Sequence, residues 1–107
     1  MGNFGRFGGG QPNMQALMRQ AQKMQEEALQ AQKQVEESEV EGVASNGLVT
    51  VAMNGNKEVL SLNINPDIVD PEDVEMLEDL IVVALNDASE KIEKIRQEKM
   101  GKFGGLM

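Results

Sequence analysis

The stretch EVEGVASNGLVTVAMNGNKEVLSLNI, residues 39–64, decides the fold. It contains three short runs rich in β-branched and aliphatic residues, Glu39 to Ser45, Leu48 to Met53 and Lys57 to Ile64, and the breaks between them carry Asn46-Gly47 and Asn54-Gly55. Asn-Gly accepts the two positive φ angles of a type I′ turn, whose twist matches a pair of antiparallel strands. The spacing therefore predicts a three-stranded antiparallel meander. Side chains alternate across a strand, so Val49, Val51 and Met53 share one face of the second strand, and Leu60, Leu62 and Ile64 share one face of the third. One side of the sheet is apolar and requires a helix over it.

Both flanks supply helices. From Met14 to Glu37 the apolar residues fall at Met14, Leu17, Ala21, Met24, Ala28, Ala31 and Val35, alternating steps of three and four. That is a heptad seam, the mark of a helix that packs on another helix. Downstream, Asp70-Pro71-Glu72-Asp73 reads as a helix start: Asp70 caps, Pro71 suits the first helical position, and the acids complement the dipole. The helix is expected to run to about Lys99, with Leu77, Ile81, Ala84, Ala88, Ile92 and Ile95 along one stripe. Between Leu80 and Leu85 it reads Leu-Ile-Val-Val-Ala-Leu, apolar around its whole circumference. A three-stranded sheet covers one face of such a segment, so the other must meet a second protein surface, most simply a second copy of the chain. The dimer interface is accordingly expected at Leu77, Leu80, Ile81, Ala84 and Leu85. The fold class is α+β: long helix, three-stranded antiparallel meander, long helix.

Residues 1–13 hold five of the eleven glycines and residues 101–107 hold three, so both ends are expected to be flexible tails around a domain of residues 14–100. Gly5-Arg6-Phe7-Gly8-Gly9-Gly10 lacks the Gly-Lys-Ser/Thr ending and the preceding strand of a phosphate loop.

The chain has no Cys, His, Trp or Tyr. Disulfides, thiolate or imidazole metal sites, and Ser-His or Cys-His nucleophilic catalysis are thereby excluded. The acids Asp67, Asp70, Glu72 and Asp73 do not follow the ligand spacing of a calcium loop and read as helix caps. No acid–base pair is flanked by a credible pocket, so the chain is not expected to be an enzyme, and no cofactor, metal or small-molecule substrate is implied. There is no run of about 18 apolar residues and no signal-peptide layout, so no membrane partner is expected and the cytoplasm is the default compartment.

The net charge of −8 argues at first against a polyanionic partner. Its distribution argues otherwise. Residues 1–25 carry Arg6, Arg19 and Lys23 without an acid, residues 26–90 carry 16 acids against Lys33 and Lys57, and residues 91–107 carry five bases against Glu93 and Glu98. Two ends of charge +3 flank a middle of −14. Antiparallel packing of the two helices would set Arg19 and Lys23 beside Lys91, Lys94, Arg96 and Lys99, a cationic tip on an acidic body. Charged helix ends are also common in proteins that bind nothing.

The order of elements, together with Met-Arg-Gln-Ala-Gln-Lys-Met-Gln-Glu at 18–26, Gly-Leu-Val-Thr-Val at 47–51, Met-Asn-Gly at 53–55, Asn-Pro-Asp at 65–67, Glu-Met-Leu-Glu-Asp-Leu at 75–80 and Asn-Asp-Ala at 86–88, resembles the YbaB family of bacterial nucleoid-associated proteins. The likeness covers about residues 14–100. It implies a homodimer whose fused sheet-and-helix body carries protruding helical arms, tweezer-like, and that binds double-stranded DNA with low sequence preference at the nucleoid and affects its organisation and gene expression. The Gly/Phe stretch of residues 1–13 is a departure to which the resemblance gives no role.

On this reading the DNA contacts are Arg19, Lys23, Lys91, Lys94, Arg96 and Lys99, with Arg6 and Lys102 as further contacts from the tails. Lysine and arginine on a helix face meet phosphates and carry no sequence information. Gln15, Gln20, Gln22 and Gln25 are able to touch base edges, though uncharged glutamine is equally at home on a solvated face. Phe4, Phe7 and Phe103 lie in the tails, where they either stack on unpaired bases or pack loosely on the body. The competing reading is a cochaperone or adaptor, similar in layout to prefoldin subunits, that holds apolar clients with Met-rich arm tips. Against it, the chain has a single meander where that family has two hairpins.

Overall fold

The computed structural model describes the backbone of residues 2–101 and 103, and side chains from residue 13 onward within that range. Helix α1 spans Gly2–Glu37, strands β1, β2 and β3 span Glu39–Ala44, Val49–Asn54 and Val59–Ile64, and helix α2 spans Val74–Met100. Two compact units are distinguished, Met1–Gln30 and Ala31–Met107. The architecture is the α+β order expected. α1, however, takes in the glycine-rich stretch and starts at Gly2 instead of Met14.

The strands form one antiparallel sheet in the order β1-β2-β3. β1 meets β2 in the register Gly42 to Val51, and β2 meets β3 in the register Val51 to Leu62. The first Asn-Gly behaves as its chemistry dictates: Asn46 and Gly47 have φ of 57° and 92°, inside a short 3-10 turn whose first residue, Ser45, also has positive φ. The second does not. Asn54 ends β2, its amide donates to the Glu58 carbonyl, and its side-chain oxygen accepts from the amides of Asn56 and Glu58. The positive φ, 62°, falls on Lys57, as in a three-residue hairpin loop closed by a left-handed residue. Gly55 is small for a different reason: a Cβ there would collide with the main chain of Val35 at the end of α1.

α2 lies across β1 and β2. Ala84, Ala88 and Ile92 are fully buried there with Val49 and Val51, and Ala44 and Met53 complete the core. Fully burying each of the larger aliphatic side chains contributes about 1.5–3 kcal/mol. The approach is close because Gly42 of β1 faces small residues of α2. A Cβ on Gly42 would stand 2.6 Å from the Ala88 nitrogen and 2.7 Å from its Cβ, and would also strike the Ala84 carbonyl.

β3 receives no such cover. An irregularity between Ala52 and Met53 sets Val59, not Leu60, opposite Met53. Leu60 thus leaves the alternating set, and Val59, Leu62 and Ile64 share the face of the buried β2 residues. Val59 and Leu62 remain 50% and 46% exposed.

α2 begins at Val74 and not at Pro71. Asp73 is its cap, accepting from the Met76 amide, while Asp70 accepts from Glu72 in the preceding turn. In the segment Leu80–Leu85, Ala84 faces its own sheet and Leu80, Ile81 and Leu85 are partly buried against the core. Val82 and Val83 are about half exposed and form the open side. Ala84, expected at a dimer interface, is therefore occupied within its own chain, and Val82 and Val83 hold the outward position. Met100, the last residue of α2, is nearly buried, and Phe103 beyond it is fully buried.

Candidate nucleic-acid interface

The cationic side chains divide into two sets once their partners are known. In the unit of residues 31–107, Lys91 and Arg96 are committed to the fold. Lys91 Nζ donates to the Glu41 carbonyl at 2.7 Å and pairs with Asp87 at 3.1 Å. Arg96 Nη2 donates to the Gly55 carbonyl at 3.1 Å, which ties α2 to the β2–β3 hairpin, and its Nε lies 3.9 Å from Glu93. Lys57 of the same hairpin pairs with Glu93 at 2.8 Å. Lys94 and Lys99 are exposed and form no ion pair or hydrogen bond among the described residues. They stand on the last turns of α2, where the negative end of the helix dipole favours cations.

In the unit of residues 1–30, Arg19 and Lys23 are likewise exposed and without an ion pair among the described residues. They are borne on α1 together with its open seam: Met14, Leu17 and Met24 are 64%, 63% and 45% exposed, so the surface that heptad spacing expects to be covered is bare in the single chain. A shallow depression of about 520 Å³ follows that seam, lined by Leu17, Gln20, Ala21, Lys23, Met24 and Glu27. The side chain of Arg6, and Lys102 altogether, lie outside the described residues.

The acids that engage the committed cations are themselves stabilised as carboxylates. A hydrogen bond from the Val43 amide and one from Lys91 hold the Asp87 carboxyl below the ordinary range, and the Lys57 ammonium does the same for Glu93. Four of the six predicted phosphate contacts, Arg19, Lys23, Lys94 and Lys99, are thus available to an anion as the chain stands. Lys91 and Arg96 would have to give up partners 50 and 41 residues away in sequence. No cluster of three or more acidic ligands is arranged for a metal ion among the described residues.

A long helix, a three-stranded meander and a second long helix, with exposed cations on both helices and an acidic middle, define a class of small α+β modules of one architecture. Comparison with known proteins makes the class specific. The profile of the YbaB/EbfC DNA-binding family matches residues 10–107, and the chain belongs to that family. A nucleoid-associated protein of Alkaliphilus metalliredigens is 50% identical over 99 residues, covering 92% of this chain and 87% of the relative. One from Rhodococcus jostii is 48% identical over 97 residues, covering 91% and 86%. Among solved structures, an uncharacterized protein of Helicobacter pylori superimposes with a TM-score of 0.59 at 26% identity, covering 73% of this chain and 90% of that one.

Proposed function

We propose that the chain is a nucleoid-associated protein that binds double-stranded DNA as a homodimer, with low sequence preference, in the cytoplasm at the nucleoid, and through that binding affects nucleoid organisation and gene expression. The observation that carries this reading is the set Arg19, Lys23, Lys94 and Lys99, exposed and without an ion pair among the described residues, on two helices of a chain whose residues 26–90 are strongly acidic. A body of that charge repels DNA, so contact is confined to the helix faces that bear the free cations. Family membership supports the same reading, as do relatives named nucleoid-associated. The homodimer is supported by the apolar surface that one copy leaves bare, Val82 and Val83 on α2 and Val59 and Leu62 on β3. A surface of that kind calls for a partner.

The test uses electrophoretic mobility with random duplex DNA. Lys94→Glu with Lys99→Glu should weaken binding at least about tenfold, since each substitution both removes a cation from the phosphates and reverses the sign of the local field, and should leave thermal melting close to that of the parent. Arg96 is kept intact because its loss would free the hairpin. Unchanged affinity in the double variant refutes the placement on α2. No shift at any salt concentration refutes the DNA reading and leaves the exposed methionine and leucine seam of α1 as the surface to explain.

A further inference from the structure

The β2–β3 hairpin carries a lysine where its backbone favours a glycine. Lys57 has a φ of 62°, a left-handed conformation that glycine adopts freely and a lysine adopts only at a cost. Gly55 and Asn56, residue types that accept such a φ, stand just before it and do not take it. The Lys57 ammonium reaches α2, where it pairs with Glu93 at 2.8 Å. Both side chains are close to half exposed, and an ion pair in that setting adds little stability. The fold therefore does not account for the lysine. We infer that Lys57 is a contact for the phosphodiester backbone of DNA, held ready on the α2 face by Glu93, whose carboxylate occupies the place of a phosphate. The inference rests on the DNA reading above and adds a residue to it.

The surroundings of Glu93 are those of an anion site. Arg96 Nε lies 3.9 Å from the same carboxylate oxygen that Lys57 meets, so two cations converge on Oε1. Arg96 is fixed through its Nη2, which donates to the Gly55 carbonyl of the hairpin at 3.1 Å. A phosphate on Lys57 leaves that bond intact and displaces only the Glu93 side chain, itself 46% exposed. Lys57, and to a smaller degree Arg96, hold the Glu93 carboxyl below its ordinary range, so it is ionised at neutral pH. A phosphodiester brings the same single negative charge and the same kind of oxygen acceptor.

The site is continuous with the free cations of α2. Arg96 and Lys99 are three residues apart and so neighbour each other on the helix surface. From Glu93 to Lys99 is about 9 Å along the axis. Over that length one DNA strand presents about two or three phosphates, at roughly 3.4 Å of duplex axis each. Lys57 stands at one end of a cationic row that Lys99 closes.

Lys57→Gly separates a structural role from a binding role, because it removes the ammonium and relieves the left-handed backbone at once. Thermal melting should equal or exceed that of the parent. Affinity for random duplex DNA, read by fluorescence anisotropy, should fall about threefold to tenfold, and its log–log dependence on salt should become shallower by about 1–2 per dimer. Lys33→Gln removes the same charge from an exposed position outside the row and should change affinity less than about twofold. Glu93→Gln should raise affinity at least about threefold above Glu78→Gln, which makes the same change of charge at another exposed position of α2, and adding Lys57→Gly should erase that advantage. A Lys57→Gly protein that binds like Lys33→Gln, or that melts below the parent, overturns the inference and leaves the lysine a structural residue of the hairpin. A Glu93→Gln protein that gains no more than Glu78→Gln overturns the role of the carboxylate. Inorganic phosphate in place of chloride at equal ionic strength should preserve the difference between the parent and Lys57→Gly; its disappearance would reassign the site to free phosphate and overturn the DNA contact. In all these outcomes the parent binds DNA, whereas a parent that binds none refutes the reading on which the inference rests.

Discussion

Replacing Gly42 by alanine inserts one methyl group where β1 and α2 approach most closely. That methyl would begin 2.6 Å from the Ala88 nitrogen and 2.7 Å from the Ala88 Cβ, and against the Ala84 carbonyl. Two of these three obstacles are helix backbone, which no side-chain rotation relieves. α2 must retreat from the sheet by about 1 Å, and a gap of that size forfeits about a quarter to a half of the dispersion energy of the contacts it opens. Those contacts join Ala84, Ala88 and Ile92 to Val49 and Val51, the fully buried part of the core. Overpacking of this kind costs about 1–3 kcal/mol. Part is offset because alanine narrows the unfolded ensemble by about 0.4–1 kcal/mol. A net loss of about 1.3 kcal/mol lowers Tm by about 5–10 °C in a domain of this length. The assay is thermal unfolding followed by circular dichroism at fixed protein concentration, since self-association of any kind makes Tm depend on concentration. A Tm within about 2 °C of the parent would refute the close approach of α2 to β1 on which the core is built.

Two further outcomes are expected. Deleting residues 1–12 should leave the main unfolding transition within about 5 °C of the parent, because that segment belongs to the unit of residues 1–30 and the core residues belong to the other; a larger drop would show that the segment packs on the core. Asp87, whose folded pKa is depressed by the Val43 amide and Lys91, adds stability at pH above the unfolded aspartate value of about 3.9 and loses it as pH falls through the lower folded value. Asp87→Asn should therefore melt lower than the parent at neutral pH, with the difference shrinking below about pH 4. A difference that stays constant from pH 7 to about pH 2 would remove the carboxylate from the account.

The sheet was legible because its signals are local. Asn46-Gly47 placed a turn by backbone preference alone, and the alternation of Val49, Val51 and Met53 identified the buried face. Where the reading departed from the structure, the cause lay far off in the chain. Asn54-Gly55 looks like a second type I′ turn, but Gly55 is glycine because the main chain of Val35 lies against it, a contact invisible from either sequence neighbourhood. The irregularity at Ala52–Met53 displaced Leu60 from the face it was assigned by counting. Asp70 and Asp73 both carry the chemistry of a cap, and sequence offered no means of choosing between them.

The same distinction governs the candidate interface. Clustering of bases at the ends is a property of composition and needed no structure. Which bases are free depended on carbonyls at Glu41 and Gly55, so Lys91 and Arg96 were counted with Lys94 and Lys99 although they serve the fold. Phe103 was placed in a glycine-rich tail by its neighbours, and only burial shows it packed.

The central claim is that free cations on helix faces, and no base-reading contact, give the protein its affinity for DNA. Fluorescence anisotropy with two duplexes of unrelated sequence, titrated between about 50 and 200 mM salt, tests it most directly. With about four to six phosphates neutralised per dimer, the logarithm of affinity should fall with the logarithm of salt at a slope of about −4 to −5, the same for both duplexes. A slope near zero, or affinities for the two duplexes that differ by more than about a hundredfold, would contradict the account.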